Sequence, residues 1–146
     1  MIVIEVSAKP IDLTELALAS SDTAHGATVL FVGAVRETNF GRSVRAVAYD
    51  AFEPLAEKVL RKICVEAQSK WGASLRFFVF HRTGEVTVGE ASVAILATAT
   101  HRDEAYQASR YIIEQLKIRA PIWKKEIYVD GESEWLKGHA LCGHAG

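Results

Sequence analysis

Residues 103–129 read DEAYQASRYIIEQLKIRAPIWKKEIYV, and this stretch decides the fold. Apolar residues recur at helical spacing over 103–119, which predicts an amphipathic helix. Its buried stripe is predicted to contain Ala105, Ala108, Ser109, Ile112 and Leu116. Ala120-Pro121 ends the helix, because the residue before a proline is pushed out of the helical region. Residues 122–129 then alternate as a strand up to the Asp130-Gly131 turn, so the helix passes directly into a strand.

The elements before this stretch predict one α+β domain with a mostly antiparallel sheet. A helix is predicted over 53–71, with Pro54 in its first turn and Gly72 after its end. The continuous apolar run at 27–35 predicts a central strand covered on both faces, followed by a hairpin with a mobile tip at 36–43. We expect the domain to occupy residues 1–136 and a flexible tail to occupy 137–146. Further strands are predicted at 2–6, 44–52, 75–80 and 91–99, and a short helix after Asp12.

Composition excludes several classes of protein. The chain has 146 residues, enough for one core, and a formal net charge of -1, so no overall field attracts nucleic acid or an anionic membrane. No apolar run reaches the roughly 18 residues that suggest a membrane span, and the N-terminal residues do not resemble a signal peptide. With only 2 cysteines a disulfide framework is improbable. We therefore expect a cytoplasmic protein whose anion sites, if any, are local.

Three lysines lie near the helix break. On a helical wheel Lys117 falls at the edge of the apolar stripe, so its stem is partly desolvated. Lys124 and Lys125 are adjacent in the strand and therefore point to opposite faces. We expect Lys124 to lie across the more polar face and to share a cleft with Lys117. The opposite face, expected to pack on the core, carries Trp123, Ile127 and Val129.

Two interpretations of these lysines remain open from spacing alone. Clustered ammonium groups beside apolar surface lower one another's pKa, which allows a lysine to exchange protons near neutral pH. The alternative is a pair of solvated lysines, and the spacing by itself favours that alternative.

Basic residues also stand where strands end. His101-Arg102 precedes the second long helix, and helix N-termini attract anions through free backbone amides. The alternative is that Arg102 is solvated and His101 packs at the strand end. Arg36, at the start of a polar loop, has the same ambiguity. For His81-Arg82 we favour a structural role, either capping carbonyls or pairing with Glu85 or Glu90.

Metal and cysteine chemistry are not expected. His139, Cys142 and His144 in the tail suggest zinc, but their spacing matches no standard site and a fourth ligand is missing. Cys64 lies in a helical pattern and is interpreted as a core residue. We predict neither a metal nor a resident cofactor, and lysine and arginine chemistry on an anionic substrate instead.

Several separated motifs occur in order along the chain: Phe31-x-Gly33-x-Val35-Arg36, Glu66-Ala67, His81-Arg82-x-Gly84, Val88-Gly89-Glu90, His101-Arg102-x-x-Ala105-Tyr106, Leu116-Lys117 and Ala120-Pro121-Ile122-Trp123-Lys124-Lys125-Glu126. Together they resemble the MoaE family, the large subunit of molybdopterin synthase, over roughly residues 3–135. The resemblance implies an α/β-hammerhead fold. It also implies a homodimer that binds one small ubiquitin-like sulfur carrier, MoaD-like, at each end to form a heterotetramer.

The resemblance further implies a sulfurtransferase reaction. The Gly-Gly thiocarboxylate at the carrier's C-terminus enters a pocket of the large subunit, and its sulfur is transferred to cyclic pyranopterin monophosphate. Two rounds yield the dithiolene of molybdopterin, the ligand of the molybdenum cofactor. An alternative is a non-catalytic scaffold that only binds the carrier, and another is an enzyme acting on other phosphorylated ligands.

Family roles fall on particular residues of this sequence. The catalytic lysines are Lys117 and Lys124. In this family a basic residue after the tail tryptophan can reach the neighbouring subunit's pocket; Lys137 and His139 are candidates here, and neither matches closely. The residues implied to surround the substrate, together with both lysines, are Arg36, His101, Arg102, Lys125 and Glu126.

Overall fold

The computed structural model describes residues 1–137. Its helices are α1 (Leu13–Ala19), α2 (Glu53–Trp71) and α3 (Arg102–Arg119). Its strands are β1 (Ile2–Ser7), β2 (Ala27–Ala34), β3 (Thr38–Asn39), β4 (Arg42–Ala51), β5 (Arg76–Arg82), β6 (Gly84–Thr87), β7 (Ala91–Ala99), β8 (Ile122–Tyr128), β9 (Gly131–Glu132) and β10 (Leu136–Lys137). His139, Cys142 and His144 lie outside the described residues.

The first sheet has the strand order β1-β5-β7-β2, and only the β1/β5 pair in it is parallel. Helices α2 and α3 cover one face and form the main core with it, while α1 lies on the other face. Leu16 of α1 packs there against Phe78 and Leu96. The expectation of an α+β domain with a mostly antiparallel sheet is therefore confirmed.

The second sheet has the order β10-β8-β4-β3, with β6 paired to β4 and β9 paired to β8. It is joined to the first layer where α3 runs into β8 through Ala120-Pro121. At the same point the Phe52 backbone N–H donates to the Pro121 carbonyl at 3.3 Å, which ties the start of α2 to that junction. The helix break thus fixes where the two sheets meet.

The helices agree closely with their sequence signals. α2 has the predicted bounds, with Pro54 in its first turn and Gly72 at its C-cap, where the glycine adopts φ 140°. α3 begins one residue earlier than predicted, and the five stripe residues are its buried ones. Asp12 caps α1, since its carboxylate accepts from the Glu15 backbone N–H at 3.0 Å. None of the helices within residues 1–137 is long and apolar enough to cross a membrane.

The prediction that residues 27–35 form a central strand is wrong. β2 lies at the edge of the first sheet, and its residues alternate between partly covered and exposed. Leu30 and Val32 are 38% and 36% exposed. Only one face of β2 is covered, by α3, so the apolar residues on the other face remain at the surface. The fully buried strand is β7.

The predicted core face of the last strand is only partly correct, since Ile127 on it is 7% exposed but its other face is buried too. Val129 is 73% exposed, whereas Ile122 and Tyr128, on the Lys124 face, are 3% and 5% exposed. Ile122 belongs to the main core and Tyr128 to a second cluster inside the sheet of β4 and β8. The face of β8 that carries Lys124 is therefore covered, because it turns toward the junction of the sheets.

The polar segment 36–43 folds into a tight hairpin. β3 and β4 pair through Thr38 with Ser43 and Asn39 with Arg42. Phe40 and Gly41 form the turn with φ of 52° and 71°, the backbone twist that favours two-residue hairpins. Three short strands that no alternation predicts, β6, β9 and β10, complete the second sheet.

Candidate functional site

A cavity of about 220 Å³ opens where the two sheets meet. The end of β2, the following loop, β3 and β4 form one side, and β7, α3 and β8 form the other. The lining residues are Phe31, Gly33, Ala34, Val35, Arg36, Thr38, Asn39, Val44, Val47, Tyr49, Ser92, Val93, Lys117, Lys124 and Glu126.

One wall depends on a close backbone approach at Gly33. A β-bulge interrupts the β2/β7 register between Gly33 and Ala34. A Cβ atom at Gly33 would lie 2.6 Å from Cγ1 of Val93, far inside van der Waals contact. The bulge redirects the chain past β7, so Arg36 reaches the cavity instead of continuing along the sheet.

A buried ion pair forms the opposite wall. The Lys124 ammonium lies 2.6 Å from the Glu126 carboxylate, and the two side chains are only 15% and 6% exposed. The Glu126 backbone N–H donates to the Ser133 hydroxyl at 2.8 Å, which fixes this part of β8. Burying two charges costs desolvation energy, which the pairing must offset.

Lys117 enters the cavity from the last turn of α3 and is half-buried. Behind the cavity lies His81, which is 6% exposed. Burial, with a smaller contribution from the charge of Lys117, lowers the pKa of His81 to about 4, against the opposing effect of a hydrogen bond to the Arg82 carbonyl. In that hydrogen bond, 2.8 Å long, Nδ1 donates to the carbonyl oxygen. With its lowered pKa the imidazole is neutral at neutral pH.

The side chains that line the cavity carry a net positive charge. Arg36, Lys117 and Lys124 are cationic and Glu126 is the only anionic residue among those that line it. His81 adds no charge at neutral pH. A partly enclosed site with fixed cations attracts an anion more strongly than the same groups in water would.

Lys125 lies on the other face of β8, as the strand alternation predicts. Its ammonium is 3.4 Å from the Glu132 carboxylate and 5.0 Å from the centre of the Trp135 ring. It does not line the cavity.

His101 and Arg102 stand at the opposite end of α3 from Lys117. The His101 side chain is 76% exposed, and its backbone N–H donates to the Glu104 carboxylate at 3.2 Å, as at a helix N-cap. With a rise of about 1.5 Å per residue, Arg102 and Lys117 are about 22 Å apart along the helix. One copy of the chain therefore cannot bring both into one pocket. Lys137 belongs to β10, and His139 lies outside the described residues.

Arg82 and Cys64, for which a structural role is predicted, have contacts that agree with such a role. Arg82 pairs with Glu90 at 3.1 Å, one of the two partners expected for it. Cys64 is fully buried, and burial raises the pKa of its thiol to about 12. Within residues 1–137 no group of three or more His, Cys, Asp or Glu side chains could hold a metal ion.

Sequence reasoning missed several lining residues, notably Tyr49, Ser92 and Asn39. Each becomes part of the site through pairing across the sheets rather than through a local motif. Tyr49 stands directly opposite Lys124 in the β4/β8 register. Asn39 donates to the Tyr128 hydroxyl at 2.9 Å, which holds the β3 hairpin over the cavity.

Comparison with known proteins gives consistent results over most of the chain. The family model described as MoaE protein matches residues 6–119. A molybdopterin synthase catalytic subunit from Synechococcus elongatus is 50% identical over 139 residues, 95% of this chain and 84% of that protein. A protein of the same name from Drosophila melanogaster is 43% identical over 127 residues; the match covers 86% of this chain but only 35% of that longer protein.

The fold agrees as well. The crystal structure of molybdopterin synthase from Staphylococcus aureus superposes with a TM-score of 0.84 at 36% identity, over 90% of this chain and 95% of that one. This agreement confirms the fold that the motif resemblance implies.

Proposed function

The chain belongs to the MoaE family, and from this we propose that it is the sulfurtransferase subunit of a molybdopterin synthase. Its substrate would be cyclic pyranopterin monophosphate, and its product molybdopterin, the ligand of the molybdenum cofactor. The observation that carries the proposal is the cavity in which Arg36, Lys117 and Lys124 converge from separate elements.

The chemistry of the reaction fits such a cavity. The substrate phosphate and the carrier thiocarboxylate are both anions, so a site that holds them together needs several fixed cations. A lysine at the point of contact can also move protons as sulfur adds to the substrate and the carrier's acyl group leaves. We assign that role to Lys117 and Lys124, with Arg36 and Glu126 beside them.

The sulfur would come from a partner protein. We propose that a small ubiquitin-like, MoaD-like carrier inserts its C-terminal Gly-Gly thiocarboxylate into the cavity. The buried thiol of Cys64, with its raised pKa, is unsuited to act as a sulfur nucleophile, which agrees with an external donor. A cytoplasmic location, where such thiols stay reduced, goes with the proposal.

The separation of Arg102 from Lys117 bears on the assembly. If His101 and Arg102 bind substrate, a second copy of the chain must supply them to the cavity of the first. We therefore propose that the homodimer of this subunit, with one carrier at each end, is the functional unit and that each site uses residues of both copies. Lys125 pairs with Glu132 outside the cavity, so we propose that it affects the site only indirectly, by stabilising β8.

The test is reconstitution of the reaction. The full chain is mixed with a thiocarboxylated carrier and cyclic pyranopterin monophosphate, and molybdopterin is assayed. We expect Lys117→Ala to abolish nearly all product while the carrier still binds, and Lys124→Ala to be severely impaired. Lys125→Ala, next in sequence but outside the cavity, is the matched control and should lose much less.

Two outcomes would contradict the proposal. If the wild-type chain binds the carrier but makes no product, the alternative of a non-catalytic scaffold is favoured. If both lysine variants keep the wild-type rate, the catalytic assignment of Lys117 and Lys124 is wrong.

A further inference from the structure

Tyr49 occupies a position in the cavity that the motif pattern does not assign. It lies in β4, directly opposite Lys124 in β8, and both side chains line the cavity. On its other side the register partner is Gly84 of β6, which has no side chain to compete for the space. The Tyr49 and Lys124 side chains therefore leave neighbouring strands on the same face, toward the cavity.

The ring is held in place by its neighbours. The buried imidazole of His81 meets it edge to face, with the ring centres 5.0 Å apart and an interplanar angle of 78°. His81 is itself fixed by the hydrogen bond to the Arg82 carbonyl. Tyr49 also packs against both the main core and the cluster inside the second sheet. A ring clamped in this way loses little further freedom when a ligand binds.

The hydroxyl of Tyr49 is a neutral hydrogen-bond donor. Burial and the nearby charge of Glu126 raise the pKa of the phenol, while a hydrogen bond with Ser92 acts in the opposite direction. Ser92 has one hydroxyl hydrogen and can give it either to the Gly33 carbonyl, 3.2 Å away, or to the Tyr49 oxygen, and the second arrangement leaves the Tyr49 hydrogen available for a ligand. The groups that interact with the ring and its hydroxyl are thus His81 from β5, Ser92 from β7 and Glu126 from β8, while Lys117 and Lys124 line the same cavity.

We propose that Tyr49 is a ligand-binding residue of this cavity and donates its hydroxyl hydrogen to the anion that Lys124 holds. The cations supply charge, whereas a neutral donor at a fixed angle selects where the oxygen atoms of the anion lie. The anion is either the phosphate of the substrate or the thiocarboxylate of the carrier, which share this acceptor chemistry. The inference rests on the proposed function.

The experiment compares Tyr49→Phe with the wild-type full chain. The variant keeps the ring and its contact with His81 and removes only the hydroxyl, so its thermal unfolding should match the wild type. Calorimetry then measures two dissociation constants separately, one for cyclic pyranopterin monophosphate and one for the thiocarboxylated carrier. We expect one of the two to rise by about tenfold, the usual effect of losing a hydrogen bond to a charged group. The ligand whose affinity falls identifies the source of the anion.

Tyr111→Phe is the matched control. It removes another hydroxyl, bonded to the Glu66 carboxylate at 2.6 Å and outside the cavity. The two contacts of Arg119 with that carboxylate remain and keep the end of α3 in place, so both affinities should stay at the wild-type values. If Tyr49→Phe binds both ligands as tightly as the wild type, the proposal is overturned. If the wild type binds neither ligand, the proposed function fails, and this inference fails with it.

Discussion

At the scale of single residues, His81 shows how burial and charge act together behind the cavity. The imidazole is removed from water, faces the charge of Lys117 and donates to the Arg82 carbonyl. A protonated imidazole would place a second positive charge beside that lysine in a dry environment. The neutral form of His81 therefore adds no second positive charge beside Lys117 at neutral pH.

This burial predicts a pH dependence of stability. The pKa of His81 falls from 6.5 to about 4 on folding, so between these values the unfolded chain binds more protons than the folded one. The free energy of unfolding should therefore decrease as pH falls from about 6.5 to about 4, by an amount on the order of 3 kcal/mol. Urea unfolding at a series of pH values measures it.

The variants isolate the contribution of His81. His81→Phe should flatten the pH dependence in that window, whatever its effect on stability at neutral pH. His101→Gln, which changes a largely exposed histidine, should leave the slope as in the wild type. An unchanged slope in His81→Phe would show that this imidazole is not the titrating group.

At the scale of elements, one cluster fastens the end of α3 to α2. The Arg119 guanidinium binds the Glu66 carboxylate through two contacts of 2.6 and 2.9 Å, and the Tyr111 hydroxyl donates to the same carboxylate. Arg119 lies two residues beyond Lys117, so the cluster holds the helical turn that delivers this lysine to the cavity. The hydrogen bonds from Arg119 and Tyr111 lower the pKa of Glu66 to about 2.

Removing the cluster should have a measurable cost. We expect Arg119→Ala to lower the free energy of unfolding by about 1 kcal/mol at neutral pH, since the pair is bidentate but still partly exposed. Because the pKa of Glu66 is depressed in the folded chain, the stabilisation is present above about pH 4.5 and is lost as pH falls toward about 2. The variant should show a smaller acid-dependent loss in urea or thermal unfolding, because only the hydrogen bond from Tyr111 remains to lower the pKa of Glu66.

Arg110→Ala is the matched control for that change. Arg110 pairs with Glu114 one turn along the same helix, but the two side chains are 81% and 54% exposed. Such a pair contributes at most about 0.5 kcal/mol. Equal effects of the two variants would mean that the cluster adds nothing beyond an ordinary surface pair.

The helices and strands also show which parts of the fold could be predicted from the sequence. α2 and α3 were predictable because their start and stop signals are local: Pro54, Gly72 and Ala120-Pro121 act within one turn. The position of β2 at the sheet edge and the burial of the Lys124 face of β8 could not be predicted from local signals. Both depend on which distant element lies over the strand.

The candidate site likewise contains residues that the sequence could predict and residues that it could not. Periodicity placed Lys117 at the edge of the buried stripe of α3 and correctly separated Lys124 from Lys125, but spacing alone favoured solvated lysines, and the ordered motifs were needed to assign Lys117 and Lys124 to one site. Tyr49 and Ser92 enter the cavity only through the register of strands far apart in sequence. No local pattern around either residue predicts that position.

At the scale of the whole molecule, the length of α3 bears on how two copies of the chain assemble. It carries Arg102 at one end and Lys117 at the other, about 22 Å apart at the usual helical rise. A site that needs both can form only between two copies, and a two-fold dimer would contain two such sites, each with Lys117 from one copy and Arg102 from the other.

Complementation between variants tests this arrangement. Arg102→Ala should weaken binding of cyclic pyranopterin monophosphate without unfolding the chain, and Lys117→Ala should be nearly inactive. When the two variants are mixed and allowed to exchange subunits, a mixed dimer has one site with both changes and one site with neither. Random exchange of equal amounts should therefore restore about a quarter of the wild-type sites, measured as molybdopterin formed at low substrate concentration. If the mixture is no more active than the sum of the separate variants, the two residues do not act in one shared site.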